Sequence, residues 1–406
     1  MSAPTAEPAR TRGRALLLTH VFPDPQGVGL ARRGWRWACE LAAQHDLEIV
    51  LITHHGGELV PPVPLPGTLH IVRCAGAPIA PRRLGDWFDA DAASAAALGA
   101  LEGPRPVRIV VFRFYLHDMA ALLPPDWRAV AEMDCDDLES ATRWSLAALA
   151  LRRGRFRVAR ACAAQAMRYG QLERRLLPSY ATVHVSAFED AARLRRLPGM
   201  DAVHASPNKI VPEPGLAPAA VPVGGRTLLF VGALFYPPNE DAMLWFAEAV
   251  LPELRRHVPD VRVVAAGRAE ESLQRQLSRH GIGYAHAPAD LRPLYAEATA
   301  VIAPVRGGGG TKLKVLEAWQ HGRPLVATSH AARGLAVDAG RHLLVADRPR
   351  EFARHCAAVL TDPALAAALV REAGALLRSH YCLDMPADSP ADARRSALED
   401  AAGLAG

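Results

Sequence analysis

The stretch 298–328, ATAVIAPVRGGGGTKLKVLEAWQHGRPLVAT, leaves the chain few folds to choose from. The apolar run 300–305 reads as a buried strand. Four glycines, 307–310, follow it, and Thr311 opens a helical pattern that stops at Gly322. Pro324 then leads into a second apolar strand. Strand, glycine loop, helix and strand make a βαβ unit, which needs a parallel sheet covered on both faces. The turn inside such a unit is a candidate anion site, because the helix N-terminus presents unpaired N–H groups.

The first helical turn strengthens that expectation. Thr311 reads as the N-cap, with Lys312, Leu313 and Lys314 in the first turn. Cations at a helix start oppose its dipole, by about 0.3–1 kcal/mol each. The chain has 3 lysines against 44 arginines, and two of the three fall in this turn. An anion over the helix start accounts for them; chance in an arginine-biased sequence is the plainer alternative. A nucleoside-triphosphatase P-loop is excluded, since Gly310 is followed by Thr311 and Lys312 rather than Lys-Ser/Thr. A glycine cradle with two lysines suits a diphosphate. Glu317, one turn further on, is placed to accept hydroxyl hydrogens of an adjoining ribose, or to pair locally with Lys314.

A chain of 406 residues, half of them apolar, is long enough for two hydrophobic cores. The net charge of +5 permits anionic small molecules or a lipid surface and gives no sign of nucleic acid as a partner. Six cysteines lie scattered without paired spacing, unlike a zinc site or a disulfide framework, so a reducing, cytoplasmic setting is expected. The start is polar and lacks an export-type apolar core, and no apolar run approaches a membrane span.

Taken in order, residues 1–13 read as a flexible tail. A strand at 15–19 empties into a turn-rich loop with Gly27 and Gly29, followed by a helix at 31–44 and a strand at 47–53. Further strands are expected at 70–73, 107–112, 130–133 and 181–185, with a helix at 89–101. The strand 107–112 runs into RFYLHD, which carries His117. Asp134, Asp136, Asp137 and Glu139 form an acid run; a divalent-metal site is one reading, and a strand end with Asp136 or Asp137 capping the next helix is the preferred one. The long helical region 148–177 is basic and amphipathic, which suits an anionic membrane surface or a solvated face. The Pro-rich stretch 206–225 reads as an interdomain linker. Beyond it the pattern restarts, with strands at 227–231, 261–265 and 282–285 before the opening feature. Gly232 and Arg268 stand at the ends of the first two. The domains so defined are 14–205 and 226–380, with a tail at 381–406. Their sheets are expected to face a central cleft at their carboxyl edges.

Three motifs carry a family resemblance. VGALFYPPNEDAMLWF (231–246) and ADLRPLYAEATAVIAPVRGGGGTKLKVLEAWQHGRPLVAT (289–328) resemble the C-terminal domain and donor-binding signature of the retaining GT4 glycosyltransferases. FPDPQGVGLARRG (22–34) is similar to their first glycine loop. The resemblance implies a GT-B fold, two Rossmann-like domains with parallel sheets, and a nucleotide-sugar donor. It implies that Glu317 binds the ribose, and that Gly309, Gly310 and Thr311 form the loop over diphosphate and sugar. Gly29 matches the first-domain loop glycine, and His117 matches a histidine that contacts the transferred sugar. Two departures stand out. Gly309 occupies the place where many members keep a second Glu, and the Arg and Lys usual after the first C-domain strand are missing at 232–239. Lys312, Lys314 or Arg268 are the candidate substitutes.

The expected function is retaining transfer of a sugar from a nucleotide-sugar to a saccharide, lipid-linked or small-molecule acceptor, as in polysaccharide or cell-envelope biosynthesis of a bacterium. His117, Lys314 and Glu317 are the expected catalytic residues. Gly27, Gly29, Gly232, Arg268, Gly309, Gly310, Thr311 and Lys312 complete the donor contacts. No cofactor or obligatory metal is expected, and no nucleic acid. Peripheral contact with the inner face of the membrane through 148–177 is an open expectation. The alternatives are an epimerase or hydrolase of the same architecture and an inactive binding module. A dinucleotide oxidoreductase is disfavoured, because the first βαβ lacks G-x-G-x-x-G after its strand.

Overall fold

The computed structural model describes residues 12–74, 86–212, 220–288, 290–309 and 312–383. The strands are β1 (Arg14–Thr19), β2 (Asp46–Thr53), β3 (Thr68–Arg73), β4 (Arg108–Phe112), β5 (Ala131–Asp136), β6 (Thr182–Val185) and β7 (Val203–Ala205), then β8 (Thr227–Val231), β9 (Arg262–Ala266), β10 (Gly283–Ala285), β11 (Ala300–Ala303), β12 (Leu325–Ala327) and β13 (Leu344–Val345). Among the described residues they form two sheets, ordered β3-β2-β1-β4-β5-β6-β7 and β10-β9-β8-β11-β12-β13. The second sheet is parallel throughout, as are the pairs from β3 to β5 in the first. Renumbered from its own first strand, each sheet begins with the doubly wound order 3-2-1-4-5-6. That order reverses direction between its first and fourth strands and opens a ligand crevice at their carboxyl ends.

The strands are almost continuously apolar because helices cover both faces. Leu16, Leu17 and Leu18 in β1, Val110 and Val111 in β4, and Phe230 in β8 are fully buried. The described residues divide into two compact units, those within 12–134 with 176–183, and those within 135–175 and 184–383. The linker expected at 206–225 separates the last strand of one sheet from the first of the other; residues 213–219 lie outside the described residues, as do 1–11 of the expected N-terminal tail and 384–406 of the C-terminal one.

Most strand positions agree with the sequence reading to within a few residues. The helical region 148–177 does not. It is two helices, Glu139–Arg152 and Phe156–Leu176, broken at Gly154 with φ 68°. Buried Glu173 ties them together by accepting hydrogen bonds from the backbone N–H and hydroxyl of Ser140. Burial pushes the Glu173 carboxyl up to about 7. The expected acid cap is also absent. The helix Glu139–Arg152 starts from Leu138 in extended backbone with no side-chain cap, and Asp136 instead adopts a left-handed turn, φ 58°.

One buried ion pair fixes the first unit. The helix Gly29–Gln44 places Arg33 against Asp134 at the end of β5, with both N–H···O distances 2.7 Å, and the Trp37 indole N–H donates to the same carboxylate. Burial alone would raise this carboxyl, but the Arg33 guanidinium, with Arg36 and Trp37, holds it at about 2. Asp134→Asn is expected to destabilise the protein by about 3–5 kcal/mol, because it leaves Arg33 buried without its counter-charge. The depressed folded-state value means that the contribution is complete above the ordinary carboxylate range near pH 4 and is lost as pH falls through about 2. Denaturant midpoints of wild type and variant should therefore converge across that window.

Candidate functional site

In the first unit the crevice position lies beyond β1 and β4. The loop after β1 carries His20, Phe22, Asp24 and Gly27, and with Thr53 at the end of β2 and His55 beyond that strand it lines a largely apolar cavity of about 360 Å³. Burial, with Arg113 nearby, pushes the His20 imidazole down to about 3. Its Nε2 lies 3.3 Å from the Tyr115 hydroxyl, and its buried Nδ1 has no hydrogen-bond partner among the described residues. Beyond β4 the chain turns sharply at Arg113, φ 91°, an uncommon conformation for a residue with a side chain. His117 follows at the start of the short helix His117–Ala121, its Nδ1 2.9 Å from the Tyr180 hydroxyl. Neither Gly27 nor Gly29 has a positive φ. Gly27 is needed for closeness: a Cβ there would stand 2.7 Å from that of Ala31.

In the second unit the equivalent crevice lies beyond β8 and β11. The chain leaves β8 at Gly232 and β9 at Gly267, which touch back to back; Gly267 takes φ 141°, and a Cβ on it would strike the Gly232 carbonyl. Arg268, directly after, is exposed. The helix after β11 is Leu313–Gln320, with Lys312 at the cap position and no side-chain cap. It thus begins later than the sequence suggests, and Gly310 and Thr311 lie outside the described residues. Lys314 extends to the end of β8. Its Nζ donates to Asn239 Oδ1 at 2.7 Å and sits 4.6 Å from the centre of the Phe230 ring. A Cβ on Gly232 would lie 3.3 Å from it. Burial pushes the Lys314 amine down to about 7; Glu317 opposes the shift and Lys312 adds to it. Lys314 hydrogen-bonds Asn239 rather than pairing with Glu317, which is half-buried on the helix Leu313–Gln320.

The glycines before this helix serve a purpose that the sequence did not disclose. They are pressed against one face of the helix Glu139–Arg152, presented by Thr142, Ser145 and Leu149 at helical spacing. A Cβ on Gly307 would lie 2.8 Å from both Leu149 Cγ and Ser145 Oγ. Gly308 takes φ 94°, and its Cβ would stand 3.0 Å from Pro238 Cβ. Its N–H donates to Ser145 Oγ at 2.7 Å, and its carbonyl lies 2.9 Å from His330 Nε2. Burial, with Lys312 nearby, keeps that imidazole down at about 4. Just before the loop, Arg306 forks onto Asp241 at 2.8–3.0 Å, and Arg153 reaches the same carboxylate at 2.9 Å. Asn239 and Asp241 lie inside the 231–246 motif but were given no role there, and Ser145 and His330 lie outside every motif, so sequence reasoning passed over all four. The acid run does not form a metal centre, and among the described residues there is no group of three or more His, Cys, Asp or Glu that could hold one.

Comparison with known proteins agrees with this geometry. Residues 225–362 match the family model for glycosyl transferases group 1. An uncharacterized 44.6 kDa protein in the cps region of Klebsiella pneumoniae is 30% identical over 137 residues, which are 32% of this chain and 35% of that protein. The match thus spans about a third of the relative's length. Among solved structures, sucrose-phosphate synthase from Thermosynechococcus elongatus aligns with a TM-score of 0.65 at 15% identity, covering 97% of this chain and 100% of that one. Anabaena HepE, solved with UDP and glucose, gives 0.59 at 13% identity over 91% of this chain and 96% of the other. The chain has the GT-B fold, two Rossmann-like α/β domains with parallel sheets.

Gly307→Ala is expected to cost about 1–3 kcal/mol through overpacking. Leu149→Ala in the same chain should recover part of that loss, because it removes two of the three nearest atoms that the new methyl strikes and leaves Ser145 Oγ. A double-mutant cycle on thermal unfolding measures the coupling.

Proposed function

We propose that the protein is a retaining glycosyltransferase that takes its sugar from a nucleoside diphosphate donor held by residues 226–380. The observation that carries this reading is Lys314, an ammonium enclosed beside a glycine-rich loop and a helix start, within the stretch that matches the glycosyl transferases group 1 model. A lysine amine hydrogen-bonded to Asn239 beside a helix start is well placed to take up a proton and neutralise a diphosphate. As the bond to the sugar breaks, negative charge grows on the leaving diphosphate, and Lys312, Lys314 and the helix N–H groups would stabilise it. Glu317 would accept hydrogen bonds from the ribose, and Gly309, Gly310 and Thr311 would lie along the diphosphate. Gly232, Gly29 and Arg268 remain backbone and rim contacts in this reading. UDP and glucose, bound in Anabaena HepE, are the first nucleotide and sugar to try.

The acceptor would be held by residues 14–205. The cavity beyond β1 and β2, with its apolar wall and neutral His20, favours an acceptor with an apolar body, and His117 would contact the transferred sugar. A lipid-linked acceptor accords with a second surface. Phe156, Val158 and Met167 are exposed on the helix Phe156–Leu176, alongside exposed Arg157, Arg160 and Arg168. Such a face suits an anionic membrane. Arg153 and Arg155 are engaged with Asp241 and Glu240 and are not part of it.

Lys314→Ala and Glu317→Ala are each expected to weaken UDP binding tenfold or more while the melting temperature stays near that of wild type. Calorimetry at several pH values adds a sign. The empty-site amine is held at about 7, so binding an anion draws a proton onto Lys314 above that pH. UDP affinity should fall from pH 7 to 9, and Lys314→Met should abolish the slope. Release of UDP from UDP-glucose only when an acceptor is present separates transfer from hydrolysis or epimerisation. Vesicles of anionic lipid should bind the wild type and release an Arg157/Arg160/Arg168→Gln variant; a wild type that ignores them removes the membrane element.

A further inference from the structure

Two successive glycines, Gly308 and Gly309, leave the orientation of one peptide group to be decided by hydrogen bonds. Turning that peptide over exchanges its carbonyl for its N–H and changes only ψ of the first residue and φ of the second. Glycine tolerates either setting, so the two residues do not choose by their own sterics. Their neighbours do. The Gly308 N–H donates to Ser145 Oγ at 2.7 Å, and the Gly308 carbonyl lies 2.9 Å from His330 Nε2. A carbonyl only accepts, so Nε2 carries the ring proton and Nδ1 the lone pair. A peptide unit is planar and trans, so a carbonyl held toward His330 turns the Gly309 N–H to the opposite side.

His330 is itself firmly seated. It stands on the short helix Ser329–Ala332, directly after β12. Thr328, which caps that helix, accepts from the Ala331 N–H at 3.1 Å and donates its hydroxyl to the Val305 carbonyl at the start of the loop. The Ser329 N–H donates to Asp347 at 3.0 Å. Burial, Lys312 and Arg333 disfavour protonation of the ring. The Gly308 carbonyl and Asp137 favour it, and Asp137 Oδ1 accepts from the Ser186 hydroxyl at 3.1 Å. The first set wins, so the imidazole is neutral across the range in which Lys314 titrates.

We propose that His330 is a positioning residue for the donor: by holding the Gly308 carbonyl it keeps the Gly309 N–H, and not a carbonyl oxygen, turned to the diphosphate. This rests on the nucleotide-sugar reading and deepens it. An N–H presents the positive end of the peptide dipole to an anion, and the flipped peptide presents the negative end. One rotation therefore converts an attraction into a repulsion. The grip is independent of pH near neutrality, because a neutral imidazole donates through Nε2 whether or not Lys314 is charged.

The experiment measures binding of the diphosphates of uridine, guanosine, adenosine, cytidine and thymidine to the full chain by calorimetry, and carries the tightest of them into three variants. His330→Phe keeps a ring but cannot donate, and should weaken binding about tenfold or more. His330→Asn keeps an amide too short to reach the carbonyl and should weaken it similarly. His330→Gln, whose amide nitrogen reaches about as far as Nε2, should restore affinity to near that of wild type. The fall in affinity from pH 7 to 9 that Lys314 sets should persist in all three, since their defect lies in the loop and not in the lysine. Affinity unchanged in His330→Phe and His330→Asn would overturn the assignment while leaving the donor site standing. So would an equal loss in His330→Gln, or loss of the pH slope together with affinity, because either marks collapse of the site rather than a turned peptide. Should His330→Phe fail to fold, the contrast of Asn with Gln decides alone. A wild type that binds none of the diphosphates would overturn the nucleotide-sugar reading, and this assignment with it.

Discussion

The second unit is organised around a packing contact that only glycine permits. Residues 307–309 lie so close to Thr142, Ser145, Leu149 and Pro238 that a methyl group at any of the three would collide with a neighbour. From that contact follow the hydrogen bond of Ser145 to the Gly308 N–H, the grip of His330 on the Gly308 carbonyl and the approach of Asp137 to Gly309. The loop is thus held by protein on several sides before any ligand arrives. Such preorganisation lowers the cost of ordering a site when it binds.

The two sheets use the same strand order to make two different kinds of place. In the first, the loops beyond β1 and β2 leave a cavity with an apolar wall and an imidazole whose pKa is pushed down to about 3. In the second, the loops beyond β8 and β11 bring an enclosed ammonium to a helix start. The topology supplies the crevice in both cases, and the side chains decide what enters it. The Arg33–Asp134 pair performs a related task in the first unit. It locks the helix after β1 to the end of β5 and so fixes one wall of the first crevice.

Strands were legible from the sequence because a parallel sheet buries both faces, leaving short, unbroken apolar runs such as ALLL in β1 and IVVF in β4. The glycine loop was legible as a turn. Its packing partners were not, since Thr142 and Ser145 lie more than 160 residues earlier and nothing local marks them as neighbours. The same distance in sequence hides the link from Lys314 to Asn239, 75 residues apart. The break at Gly154 was missed because the arginines and alanines on either side share one helical composition, and a single glycine in a left-handed turn ends it. The acid run was read as one feature, whereas folding sends Asp134, Asp136 and Asp137 to three different tasks.

One property of the second crevice depends on its being built with lysine. An arginine at 314 would remain charged whatever surrounded it. A lysine amine held near 7 is partly unprotonated around neutrality, and an unprotonated amine is a nucleophile. Filling the crevice with an anion would quench that reactivity by keeping the proton in place. Acylating reagents would therefore mark Lys314 in the empty protein and spare it in the loaded one. With only two other lysines in the chain, cleavage at lysine yields so few fragments that the state of this single amine could be followed directly.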